Sequence, residues 1–173
     1  LTSARALVDA LVHQNMTKIR LSNDMMNANY IIAAELRNVV LPTSDADNLK
    51  FVEKIKAARA DYSKAREALY AMPVSPPGQV IRDDIDRLTP QVRELNNQII
   101  DLVMSGHSDE ALPLLLTKAA PALQRWQDKI GENIALQDKL AAEAAAVALQ
   151  SMDDSRKLLI GGSLMVVLLS GTL

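Results

Sequence analysis

The residues with the clearest capacity for chemistry lie in the stretch ARADYSKAREAL, residues 58–69. The helical spacing of apolar residues through this stretch predicts a stripe facing a partner helix that reads Val52, Ile55, Arg59, Tyr62, Arg66 and Leu69. Two buried guanidinium groups need acceptors, water or an anion, because an unpaired buried charge is costly. Arginine forks and a phenol suit carboxylates through charge-assisted hydrogen bonds. The stretch therefore predicts one wall of a site for a small anion.

A plainer interpretation of the same residues stays open at this point. Arg59 and Arg66 would then lie one position off the stripe, reach solvent, and pair with Asp61, Glu67 or residues of the first helix. The two interpretations differ in whether the arginines turn inward together.

Other chemistries find little support in the residue types and their spacing. His13 and His107 fall on different elements without metal-ligand partners, and cysteine is absent. No glycine-rich phosphate loop or nucleophile elbow occurs. We interpret Asp83, Asp84 and Asp86 as the acidic beginning of a helix. We therefore expect no catalytic residue, no metal and no cofactor, and the protein is predicted not to be an enzyme.

The composition favours helix almost everywhere. The chain has 173 residues, of which 49% are hydrophobic and 3% aromatic, and it contains only 6 glycines. Its length suits one domain with a sizeable core. The net charge of -2 and the lack of a basic run give no reason to expect nucleic acid as a partner. The sequence predicts an all-α protein.

Proline, glycine and capping residues divide the chain into four helices. Residues 1–41 show helical periodicity until Pro42, after which Ser44 or Asp45 is a suitable N-cap. The segment MPVSPPG separates a second helix, ending near residue 72, from a third helix over 79–104. Ser108 is the predicted N-cap of the fourth. Short turns between long helices predict an antiparallel up-down-up-down four-helix bundle.

The C-terminal residues 158–173 carry no charge. Sixteen residues make about 24 Å of helix, slightly less than the roughly 30 Å of a bilayer core. We expect residues 1–157 to form the bundle domain and the last helix to continue into a truncated transmembrane segment over 158–173. A buried terminal core helix is the alternative.

Folding neighbouring helices back around their turns places polar residues at the level of the arginines. Helix one presents Ser22, Met26 and Asn29 there, and a similar alignment brings Asn96 level with Thr117. Pro121 lacks an N–H and would leave the Thr117 carbonyl free. Trp126 is interpreted as ordinary core. The predicted ligand-binding residues are Ser22, Met26, Asn29, Arg59, Tyr62, Arg66, Asn96 and Thr117.

Three passages resemble the periplasmic ligand-binding domain of methyl-accepting chemotaxis receptors of the four-helix-bundle type. They are AAELRNVVL, GHSDEALPLLLTKAAPALQRWQDKIGENIALQ, and AAEAAAVALQSMDDSRKLLIGGSLMVVLLSGTL. The resemblance implies a first transmembrane helix before Leu1 and a HAMP linker and methylated signalling domain after Leu173, so that 158–173 begins the second transmembrane helix. It also implies an inner-membrane receptor with this region in the periplasm, and a dimer formed through helix one.

The resemblance implies two possible ligand sites. Relatives that sense aspartate and serine bind at a subunit interface through arginines of helix one, and only Arg37 matches that placement here. Members that sense organic acids are similar in using a pocket within one subunit, which suits Arg59, Tyr62 and Arg66. We expect a small organic anion, a di- or tricarboxylate such as malate or citrate. The alternative is an interaction module that senses a partner, or a ligand-loaded periplasmic binding protein, without enclosing a small molecule.

Overall fold

The computed structural model describes residues 2–170, except for the side chains of residues 2–5, 7, 155 and 158–170. Within this range the secondary structure is helical. The elements are α1 (Thr2–Val39), α2 (Asp45–Tyr70), α3 (Pro76–Met104), α4 (Ser108–Leu114), a π-helical turn (Leu115–Ala119) and α5 (Ala120–Ser170). The last three follow one another without a break, so the described chain forms four long helices, as predicted.

Side-chain caps explain where α2 and α3 begin. The Ser44 hydroxyl accepts the N–H of Asp47, and the Ser75 hydroxyl accepts the N–H of Gly78, so each satisfies a donor at a helix start. Helix α3 begins at Pro76, three residues before the predicted position. Proline is well suited to the first turn because the N–H it lacks would have no helical partner there.

The fourth long helix departs from the expected uninterrupted α-helix. Its N-cap is His107, without a side-chain cap hydrogen bond, so the prediction of Ser108 was wrong by one position. The backbone then changes register over Leu115–Ala119, and the N–H of Ala120 donates to the carbonyl of Leu115. Pro113 and Pro121 flank this turn and cannot donate backbone hydrogen bonds. Their spacing favours a local departure from the α-helical ladder.

Most of the four-helix arrangement lies in a compact unit that spans Lys18–Leu136. Arg66 of α2 meets Asp86 of α3, and Tyr70 meets the Arg82 carbonyl, so α2 and α3 run antiparallel. Hydrogen bonds from Asn133 to Ser22 and from Gln127 to Asn29 show the same relation between α1 and α5. Both pairs run in opposite directions, as the predicted antiparallel topology requires.

A second unit comprises the described residues before Lys18 and after Leu136, which belong to α1 and α5. Asn15 and Gln137 are buried polar residues of this unit. The predicted transmembrane segment, 158–173, falls here, and its last three residues lie outside the described range. Within residues 2–170 no helix combines the length and apolar content needed to cross a bilayer. The transmembrane segment stays a prediction.

Candidate functional site

The buried face of α2 keeps Ile55, Tyr62 and Leu69 of the predicted stripe, but Ala58 and Ala65 are buried in place of the two arginines. From residue 55 onward the buried residues are Ile55, Ala58, Tyr62, Ala65 and Leu69, while Arg59 and Arg66 are half-buried beside them. This is the off-stripe placement of the plainer interpretation. The two arginines nevertheless do not pair with Asp61 or Glu67. Arg59 turns toward the core, and Arg66 reaches Asp86 of α3.

Tyr62 is the centre of a hydrogen-bond chain that joins three helices. The indole Nε1–H of Trp126 in α5 donates to the Tyr62 hydroxyl at 3.2 Å, and the two rings lie 4.7 Å apart between centroids. The Thr89 hydroxyl lies 3.3 Å from the Tyr62 hydroxyl and donates its own proton to the Ile85 carbonyl at 2.8 Å. Tyr62 must therefore donate to Thr89. Burial raises the pKa of the Tyr62 phenol.

A small cavity lies beside this chain, and all four long helices contribute to it. Its volume is about 10 Å³, room for about one water molecule. Arg59 and Asn96 line it, and each carries a buried atom, Nη2 and Oδ1 respectively, that has no hydrogen-bond partner within the described part of the chain. The cavity thus offers one charged donor and one acceptor. Its lining residues are Ile32, Arg59, Tyr62, Thr89, Val92, Arg93, Asn96 and Trp126.

The electrostatics of the cavity favour an anion. Neither Arg59 nor Arg93 forms an ion pair with any side chain that the structure describes. Burial and the positive charge of Arg93 lower the pKa of Arg59, although its guanidinium stays protonated. Two neighbouring positive charges without an acid create a local positive potential. A carboxylate would relieve it.

A larger open groove of about 330 Å³ adjoins the cavity, with Tyr62, Thr89 and Arg93 lining both. Here Arg66 donates from Nε and Nη2 to Asp86 Oδ1 at 2.9 and 2.8 Å. The Tyr70 hydroxyl lies 3.0 Å from the same oxygen, and the Arg66 guanidinium lies over the Tyr70 ring. Arg66 thus has an internal carboxylate partner, unlike Arg59. The prediction that Asp83, Asp84 and Asp86 begin a helix was wrong, because α3 begins at Pro76 and its first turn holds no acidic residue. Asp86 instead lines this groove.

The pKa values in this groove follow from burial and from the Asp86 charge. Burial lowers the pKa of Arg66, but hydrogen bonds and the charge of Asp86 outweigh burial and raise it overall. Burial, followed by the negative charge of Asp86, raises the pKa of Tyr70 well above its ordinary value. The ion pair is accessible, since the side chains of Arg66 and Asp86 are 34% and 39% exposed. A dissolved anion can therefore reach it.

Three of the predicted site residues lie on the contact between α1 and α5 instead. Ser22 is fully buried, accepts from Asn133 Nδ2 at 2.8 Å and donates to the Lys18 carbonyl. Asn29 is also fully buried and accepts from Gln127 Nε2 at 2.7 Å. Met26 is half-buried beside Gly131. These residues do not line the cavity or the groove.

Two further predicted residues lie on the surface. Thr117 is exposed and its hydroxyl donates to the Pro113 carbonyl at 2.7 Å, so it does not line the expected cavity. The physical reason is the π-helical turn, which changes the register of the helix at this residue. Arg37, the alternative interface residue, is exposed in the last turn of α1.

The structure thus brings together Arg59, Tyr62 and Asn96 of the predicted set, with Arg66 in the adjoining groove. Sequence reasoning missed Thr89, Arg93 and Trp126 as site residues and assigned Asp86 only to a helix start. A signal for the α3 residues comes from aligning that helix against α2. Folding it back around MPVSPPG places Tyr62 opposite about residue 88 or 89, given equal rise per residue. The same alignment identifies the three α3 residues, Asp86, Thr89 and Arg93.

Metal chemistry has no support in the described residues, where no group of histidine, aspartate and glutamate side chains is arranged to hold a metal ion. The arrangement instead combines guanidinium groups, amides and hydroxyls around an aromatic wall. Such a set can bind and orient an anion. It holds no arranged nucleophile and base.

Comparison with known proteins agrees with the helical architecture. A solved structure described as the periplasmic sensor domain of a sensor histidine kinase is similar, with a TM-score of 0.71 and 19% sequence identity. The similarity covers 83% of this chain and 97% of that chain, and at this identity it shows the fold alone. No curated protein matches the chain significantly.

The sequence itself matches a family model described as a four helix bundle sensory module for signal transduction. The match extends over residues 1–152, which is most of the chain. It confirms the resemblance to the sensor domains of methyl-accepting chemotaxis receptors. The chain therefore belongs to the family of four-helix-bundle sensory modules for signal transduction.

Proposed function

We propose that this module is the periplasmic sensor domain of an inner-membrane chemoreceptor and that it binds a small organic anion, a di- or tricarboxylate such as malate or citrate. The observation that carries the proposal is the cavity shared by Arg59 and Arg93, where a buried guanidinium N–H and a buried amide oxygen lack partners among the described residues. A hydroxy acid offers a carboxylate that can accept from the guanidinium N–H and a hydroxyl that can donate to the amide oxygen.

The sizes of the two spaces determine where such a ligand would sit. The inner cavity has room for about one water molecule, whereas the groove of about 330 Å³ falls within the range of small-molecule sites. The body of the acid would therefore occupy the groove between α2 and α3. One carboxylate would reach Arg59 after a local side-chain movement, with Arg93 alongside.

Signal transmission would follow from contacts that span the bundle. The cavity touches α1 through Ile32, α2 through Arg59 and α5 through Trp126. A ligand held there would favour one of two helix packings, and the free energy of that preference would be passed along α5 toward the membrane. In this proposal α5 enters the second transmembrane helix at residues 158–173, and the receptor dimerises through α1.

Isothermal titration calorimetry with succinate, malate and citrate tests the proposal. In Arg59→Met we expect at least about a tenfold loss of affinity, because a buried ligand carboxylate would lose its charged partner. Arg37→Met is the matched control, since it removes an exposed arginine at the alternative interface site. Loss of binding in Arg37→Met with normal binding in Arg59→Met would move the site to the interface and overturn the proposal.

A second candidate function is recognition of a protein partner without an enclosed ligand. Large apolar side chains are exposed near the two turns at one end of the larger unit, namely Leu41, Leu49, Leu112 and Leu116. This function predicts that none of the acids binds. Replacing Leu112 and Leu116 by serine would then abolish receptor signalling without changing the stability of the domain by more than about 1 kcal/mol.

A further inference from the structure

The groove beside the cavity contains a carboxylate that belongs to the protein itself. Asp86 Oδ1 accepts both hydrogen bonds that Arg66 donates and also lies within hydrogen-bond distance of the Tyr70 hydroxyl. Arg66 and Arg59 lie seven residues apart on α2, about 10.5 Å along the helix axis. Arg93 lines both the cavity and the groove, and so connects the two positions.

We propose that Arg66 and Arg93 form an outer carboxylate subsite and that Asp86 is its internal occupant in the ligand-free protein. This inference rests on the proposed function, because it assumes that a first carboxylate binds at Arg59. A dicarboxylate would place its second carboxylate on Arg66 and displace Asp86. A monocarboxylate would bind at Arg59 alone and leave the Arg66–Asp86 ion pair intact.

The geometry of the ion pair supports displacement. Both donors of Arg66 converge on one oxygen of Asp86, rather than forming the parallel pair of bonds in which each carboxylate oxygen accepts one hydrogen bond. Both side chains are more than one-third exposed, and ion pairs at such exposure contribute little free energy. An incoming carboxylate could therefore exchange with Asp86 at small cost. The exchange would also release a link between α2 and α3, which ties ligand selectivity to helix packing.

Calorimetry with succinate and butyrate tests the inference, since both have four carbons but differ in their second carboxylate. In Asp86→Asn we expect succinate to bind about threefold more tightly, the scale of a lost exposed ion pair, and butyrate affinity to stay unchanged. Asp84→Asn is the matched control, because Asp84 lies on the same helix but pairs with Arg87 and Lys129. It should bind both acids as the wild type does. Arg66→Met should bind succinate no better than butyrate.

Several results would overturn the inference. Unchanged or weaker succinate binding in Asp86→Asn would do so. An equal gain in affinity for succinate and butyrate would also do so, because it would indicate a general change in electrostatic potential. If Asp86→Asn does not fold, the Arg66 Nε–H resonance of the wild type gives the same test, with a saturable shift expected for succinate and none for butyrate. If succinate binding is lost in Arg59→Met but unchanged in Asp86→Asn, only the outer subsite is overturned. If succinate binding is unchanged in Arg59→Met, the proposed function is overturned as well.

Discussion

At the scale of single residues, two residues that line the cavity each carry a buried polar atom without a hydrogen-bond partner among the described residues. Asn96 is only 1% exposed, and its Oδ1 has no partner among the described residues. Such an atom costs stability in the ligand-free protein, because it has lost water without gaining another donor. Arg59 Nη2 is likewise buried without a partner among the described residues. Both costs are reasonable at a binding site, where a ligand can supply the missing partners.

Asn96→Leu tests this balance between stability and binding. The substitution keeps the approximate volume but removes the unpaired amide, so we expect the free energy of unfolding to rise by about 1 kcal/mol. Affinity for hydroxy acids should fall in the same variant. Urea denaturation gives the first quantity and calorimetry the second. A variant that is both less stable and unaltered in binding would show that Asn96 is an ordinary core residue.

Tyr62→Phe tests the hydrogen-bond chain. Loss of the hydroxyl leaves the buried indole N–H of Trp126 without its acceptor, which should lower the free energy of unfolding by about 1–3 kcal/mol. Trp126 is the single tryptophan of the chain, so its fluorescence during urea unfolding reports the change directly. Equal urea midpoints for the variant and the wild type would mean that water replaces the phenol hydroxyl as acceptor without loss of stability.

At the scale of helices, polar contacts set how neighbouring elements align. Ser22 with Asn133 and Asn29 with Gln127 join α1 to α5 at two levels of the larger unit. Buried pairs of this kind can fix the register between helices whose apolar residues alone would allow sliding. Ser22 and Asn29 were predicted to bind a ligand, but their polar side chains are thus explained by helix pairing rather than by the cavity.

A double-mutant cycle checks this role of Ser22. Ser22→Ala removes the acceptor of a buried Asn133 amide and should cost about 1–3 kcal/mol. Adding Asn133→Leu removes the unpaired donor, so the double variant should recover most of the loss. Additive losses in urea unfolding would show that the two side chains act independently.

Tyr70 makes the contact between α2 and α3 sensitive to alkaline pH. Its pKa is raised in the folded protein, so the unfolded chain releases the phenol proton first, near pH 10. This contribution to stability is fully present below about pH 10 and is lost as the pH rises above that value. Tyr70→Phe should therefore lose less stability than the wild type between about pH 8 and pH 11, measured by urea unfolding. Identical losses in both proteins would contradict the raised pKa.

The helices could be predicted from the sequence because their ends are encoded locally. Ser44 and Ser75 cap through their own side chains, and Pro42 and the MPVSPPG segment break the helical periodicity. The site was harder to predict, since the partner of Arg66 is Asp86, on another helix and 20 residues along the chain. A difference of one position in α2, Ala58 buried in place of Arg59 and Ala65 in place of Arg66, decides whether an arginine is central or peripheral. The π-helical turn, which carries Thr117 to the surface, left no clear periodic signal.

At the scale of the whole molecule, ligand binding should stabilise the fold. A ligand at 100 times its dissociation constant adds about 2.7 kcal/mol to the free energy of unfolding when it binds the folded state alone. We expect malate or citrate to raise the melting temperature of the wild type accordingly, and to raise that of Arg59→Met much less at the same ligand concentration. Differential scanning calorimetry measures both. An equal rise in the two proteins would indicate binding away from the cavity.

The most direct measurement of anion binding at the cavity is the NMR resonance of the Trp126 indole N–H during titration with malate. This group donates to Tyr62 at the cavity wall, and no second tryptophan can obscure its signal. We predict a saturable shift at the same malate concentration in the wild type and in Arg37→Met, whereas Arg59→Met should need at least about tenfold more malate. A wild type whose indole resonance stays fixed while malate binds, or an Arg59→Met variant that titrates like the wild type, would contradict an anion site at this cavity.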